Sequence, residues 1–193
     1  MARFLAQRYS RQGLESLFLT SAFPLHFWAL LLAFRDISWL TERTNLWDAI
    51  GVVSYGMLFA LAESTVIFLL VALIGLITPP GWRSDRRITF LGLLILLVSL
   101  WAIIGQLLFL WNVSLPGQVV QFLRHSNHPL RILYLLCLAV VVPTILLPVY
   151  LFIRSKKSVA VMQNLMERFS LLTTFYLFFD AVGFVIVILR NLS

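Results

Sequence analysis

The chain has 193 residues, 61% of them hydrophobic and 12% charged, with a mean hydropathy of +0.94 and a net charge of +7. Soluble domains run to roughly 45–50% apolar and about 25% charged, so a soluble fold is excluded. Nine Gly, seven Pro and one Cys likewise exclude collagen-like, disordered and disulfide-stapled classes, which leaves a polytopic membrane protein.

A transmembrane helix needs about 20 consecutive, mostly apolar residues, because each residue rises ~1.5 Å and the hydrocarbon is ~30 Å thick. Residues 1–15 precede the first such run. They place Phe4, Leu5 and Tyr9 among Arg3, Arg8 and Arg11, a pattern suited to a basic interfacial segment lying on anionic lipid headgroups. No small-x-small cleavage site follows Phe34, so the first run reads as an uncleaved anchor.

Span one covers residues 16–34. Span two covers 49–78, too long to stand upright, and ends at Pro79 and Pro80. Span three covers 88–111. The following loop carries an apolar stretch, 117–123, that can lie flat on the membrane. Span four covers 130–153 and contains Pro143 and Pro148, each of which removes a backbone donor. Span five covers 169–189. The apolar runs are continuous, whereas barrel strands alternate with a period of two, so the expected fold is all-α: a bundle of five transmembrane helices with short loops, in a single domain.

Basic residues are distributed unevenly between the two faces. Arg3, Arg8, Arg11, Arg83, Arg86, Arg87, Arg154, Lys156, Lys157 and Arg168 fall on one side, against Arg35, Arg43, Arg124, Arg131 and Arg190 on the other. Such a bias places the N terminus in the cytoplasm and the C terminus outside, in a prokaryotic inner membrane. Arg83, Arg86, Arg87, Lys156 and Lys157, with the N-terminal arginines, form the expected lipid-facing basic surface. The charge points to headgroups, and no basic soluble domain exists to bind nucleic acid.

Ionisable groups are costly inside hydrocarbon, about 2.5–3.5 kcal/mol each, so each one calls for an explanation. Glu63 and Asp180 lie close to the midpoints of spans two and five, and His26 is one residue from the middle of span one. Ser99 and Thr144 fall near the middles of spans three and four, and Tyr176 and Gln106 lie within a turn or two of the same depth. The expectation is one polar layer in which Glu63 and Asp180 face each other and repulsion keeps one of them protonated. Gly56, Ala60 and Ser64 recur every four residues, and Gly183 continues the Thr173–Tyr176–Asp180 stripe, so these small residues are the expected helix-packing contacts.

Absent motifs narrow the chemistry. No Lys lies within a span to carry a Schiff base, and a single intramembrane His cannot give bis-His haem ligation. HExxH, GxSxG, P-loop and GxGxxG patterns are missing, and His125 with His128 lacks further ligands for a metal. The sequence therefore reads as a membrane protein without catalysis, cofactor or metal. It fits an accessory or scaffold subunit that packs against other membrane chains or copies of itself. The alternative is a small proton- or cation-linked transporter or channel built on the Glu63/Asp180 pair.

Overall fold

A computed structural model describes residues 8–192; Arg3, Phe4 and Leu5 lie outside this range. The described residues are all-helical, with six helices. They are α1 (Arg11–Arg43), α2 (Leu46–Ile74), α3 (Ser84–Leu110), α4 (Gly117–Arg124), α5 (Pro129–Arg154) and α6 (Lys156–Leu192). All but α4 are long and apolar enough to cross a membrane, the architecture of a multi-pass membrane protein.

The connections are shorter than the apolar runs alone suggest. Only residues 44–45 separate α1 from α2. Thr44 closes α1 by donating its N–H to the Leu40 carbonyl at 2.9 Å, and Asn45 opens α2 by accepting from the Asp48 N–H at 2.8 Å. Between α5 and α6 only Ser155 is non-helical. Apart from Ser155, the expected loop at 154–168 is therefore helix. Its polar residues Gln163, Asn164, Glu167 and Arg168 lower the hydropathy without breaking a helix, since none is Gly or Pro. At 37 residues α6 is ~55 Å long, well beyond the hydrocarbon thickness. Span two is displaced by about one turn from its expected place, since α2 begins at Leu46 and ends at Ile74, and Thr78 lies in the following turn.

Helix α1 is the hub, packing against α2, α3 and α6, whereas α5 touches the bundle mainly through α3. In lipid no hydrophobic force draws helices together, so close packing must come from van der Waals fit. Gly13 supplies one such fit: a Cβ there would sit 1.8 Å from Ile88 Cδ1, so a larger residue would force the Ile88 side chain of α3 to shift. The tightest apolar core lies toward the N-terminal end, where Tyr9, Leu17, Ile88, Leu91, Phe152, Met162 and Met166 close on one another. Phe23 stacks on Phe169 at 4.2 Å to join α1 to α6 deeper in the bundle.

The ends are tied by polar groups. At the C-terminal end of α6, Arg190 donates to Asp48 at 2.7 Å and to the Trp47 carbonyl at 2.8 Å. Gly51 leaves room for that guanidinium, which would lie 2.0 Å from a Cβ. At the N-terminal face Arg87 is buried rather than turned to lipid, which corrects the expected basic surface. It donates to the Thr78 hydroxyl and the Arg8 carbonyl at 2.7 Å, and to the Pro79 and Trp82 carbonyls at 3.3 Å. Arg8 is half-buried and donates to the Leu76 carbonyl at 2.7 Å, and Arg86 donates to the Ile153 carbonyl at 2.7 Å. Helix ends and tight turns leave carbonyls unpaired, and guanidinium groups satisfy them here. Arg11, Arg83, Lys156 and Lys157 remain exposed on this face.

Candidate functional site

The interior polar site is built by α1 and α6. His26 is 0% exposed and Asp180 3%. The imidazole Nδ1 lies 2.8 Å from the Ala22 carbonyl and Nε2 lies 2.8 Å from Asp180 Oδ2. A carbonyl only accepts, so Nδ1 must carry a hydrogen. A single further proton then lies on the Nε2–Oδ2 line, attached to either atom, and the pair is electrically neutral in both arrangements. Neutrality is what makes a buried acid and base tolerable in hydrocarbon. The second carboxyl oxygen, Oδ1, is buried without a hydrogen-bond partner among the described residues.

The surroundings hold the pair in place. Tyr176 stacks nearly parallel to the His26 ring, with centroids 6.2 Å apart and planes at 8°. About two turns before Asp180 on α6, the Thr173 hydroxyl lies 2.9 Å from the Leu19 carbonyl of α1. Pro24 of α1 is buried beside these contacts and has no N–H to give to the Thr20 carbonyl, so the helix is free to bend there. Gly183 faces Ser54 of α2, where an added Cβ would lie 3.5 Å from it in ordinary van der Waals contact, so a side chain as small as alanine also fits there.

The expected facing of Glu63 and Asp180 does not occur. Helix α2 packs through Gly51, Ser54, Met57, Ala60 and Ser64. Glu63 is about 100° around the helix from Ser64, so burying Ser64 swings the carboxyl out of the bundle. Glu63 is exposed and has no hydrogen bond or ion pair among the described residues. Gly56, seven residues earlier, shares that outward flank and is not a packing contact: a Cβ there would meet nothing within 4 Å. Both residues line an open groove between α1 and α2, opposite Trp28, Ala29 and Leu32.

The remaining members of the expected layer are dispersed. Thr144 accepts from the indole N–H of Trp101 at 3.0 Å, linking α3 to α5 away from both acids. Gln106 is exposed, and Ser99 lines a shallow cleft with Phe23, Pro24 and Phe169. What the sequence did not single out are Thr20 and Ser21, both buried in α1, whose hydroxyls bond back to the Ser16 and Leu17 carbonyls. Their signal was the spacing Gly13, Leu17, Thr20/Ser21, Pro24, a small-residue stripe at helical period. Among the described residues no three of His, Cys, Asp and Glu converge to hold a metal ion.

Comparison with known proteins finds no matching protein family, no matching curated protein and no matching solved structure.

Proposed function

We propose that the protein is a non-catalytic subunit of a membrane assembly, which packs another transmembrane helix into the groove between α1 and α2. The observation that carries this reading is Glu63: an exposed carboxyl group near the middle of an apolar helix, without a partner among the described residues, beside an open Gly56. A carboxyl group facing acyl chains is costly, and a hydrogen-bond donor from a neighbouring helix removes that cost. Glycine on the same flank permits the close approach such a bond needs. In this reading the basic N-terminal face lies in the cytoplasm, in line with the distribution of Lys and Arg.

Proton-linked transport is the competing reading and now rests on His26 and Asp180 alone. Those two side chains line neither the α1/α2 groove nor the α3/α5/α6 groove described below. A tightly closed neutral pair supports a clamp better than a relay. The test is purification from native membranes of wild type, Glu63→Leu and Gly56→Trp. A membrane companion, or a second copy, is expected in stoichiometric amount with wild type and is expected to be lost from both variants, while their unfolding temperatures stay unchanged. Wild type recovered as a lone monomer overturns the proposal, and pH-driven solute uptake abolished by Asp180→Asn in proteoliposomes would favour the carrier.

A further inference from the structure

We infer that a second groove, between α3, α5 and the first turns of α6, binds one anionic phospholipid, with an acyl chain along its walls and the phosphate at Lys157. The walls are Leu93 of α3, Pro148 and Leu151 of α5 and Val161 of α6, over a floor of Phe152 and Met162. The groove has a volume of about 390 Å³, and among the described residues the only polar ones lining it are Lys157 and Ser158, both at the start of α6. Its body is apolar and its mouth cationic. A phospholipid of negative headgroup has the complementary arrangement.

The charge around the mouth is fixed as well as positive. Arg86 is anchored by the Ile153 carbonyl at 2.7 Å and lies over the Trp82 ring at 4.9 Å. Arg154 and Lys156 flank the Ser155 junction. On α3 the first-turn acid, Asp85, leans towards Arg83 at 3.7 Å instead of neutralising this cluster. The first turn of α6 opens at the same place, adding the positive end of its dipole. Basic groups at interfacial depth attract anionic lipid, and here they sit above a slot that accepts its tail. This site is separate from the α1/α2 groove and does not depend on what that groove binds.

The test uses the full-length protein purified in mild detergent and given equal amounts of phosphatidylglycerol and phosphatidylcholine of matched chain length, with retained lipid read by native mass spectrometry. Phosphatidylglycerol is expected to be retained in preference. Lys157→Gln should reduce that preference about five-fold. Val161 is 69% exposed, so Val161→Trp should fill the groove and abolish retention of both lipids without changing the unfolding temperature. Equal retention of the two lipids by wild type overturns the inference, whatever the variants do. So does a preference that survives both substitutions, or a protein chain found cross-linked at position 161 where the lipid should be.

Discussion

His26 and Asp180 illustrate how far a single pair can be read from residue counts. Depth was legible: at ~1.5 Å per residue, distance from the ends of an apolar run places both side chains near the middle of their helices. Partner choice was not. It depends on the rotation of each helix, and α2 offers small residues on two flanks, Gly51 and Ser54 on one and Gly56 on the other. A turn of about 100° decided between them and sent Glu63 outward. The energetic consequence can be measured by unfolding in detergent. Asp180→Ala should cost about 3 kcal/mol, because it leaves Nε2 without its partner in the interior. Asp180→Asn should cost less, since an amide N–H still donates to a neutral imidazole. Replacing both residues by Leu should recover most of the loss, and a silent Asp180→Ala would show that the pair does not hold α6 to α1.

At the scale of elements, the five apolar helices were legible because length and continuity of apolar sequence determine them, and the helical extensions were not because hydropathy and helix propensity are different quantities. Residues 35–43 and 156–168 are polar enough to read as loops yet contain neither Gly nor Pro. The arginine cluster at 8, 86 and 87 was legible as charge but not as structure. Arg87 should prove specific to its guanidinium: Arg87→Lys loses the fork that reaches the Thr78 hydroxyl and several carbonyls at once. A loss of about 2–3 kcal/mol and faster proteolysis within residues 75–83 are the expected outcomes. If Lys protects this turn as well as Arg, charge alone is sufficient.

Tyr9 belongs to the same N-terminal latch and donates to the Ala72 carbonyl at 2.7 Å. Burial pushes its phenol above the usual 10.0, against the opposing pull of Arg87 and Arg8. The folded form thus favours the neutral phenol. Its contribution is complete below pH 10 and is lost as pH rises through the elevated folded value. Comparing wild type with Tyr9→Phe from pH 7 upward should show a stability gap of about 1 kcal/mol that closes only in the alkaline range. A gap that instead closes below pH 10 would contradict the assignment.

For the whole molecule, the class of fold followed from composition, whereas the hub did not. Helix α1 is the most amphiphilic of the long apolar helices, with Arg35, Asp36, Glu42 and Arg43 near its end, yet it is the one that α2, α3 and α6 all pack against. Its buried residues Thr20, Ser21 and His26 explain why: a helix carrying polar groups in its apolar portion gains most from being enclosed. Helix α5, without a polar group that needs enclosure beyond Thr144, stays at the margin with Phe152 as its one buried residue.

The hydrogen bond between His26 and Asp180 spans 154 positions of sequence. During synthesis the imidazole therefore enters the bilayer long before the carboxyl group exists. Until α6 arrives, a half-made chain carries an imidazole without its carboxyl partner. Only when α6 is in place can the bond that holds the mature bundle form, so α1 and α6 are joined last.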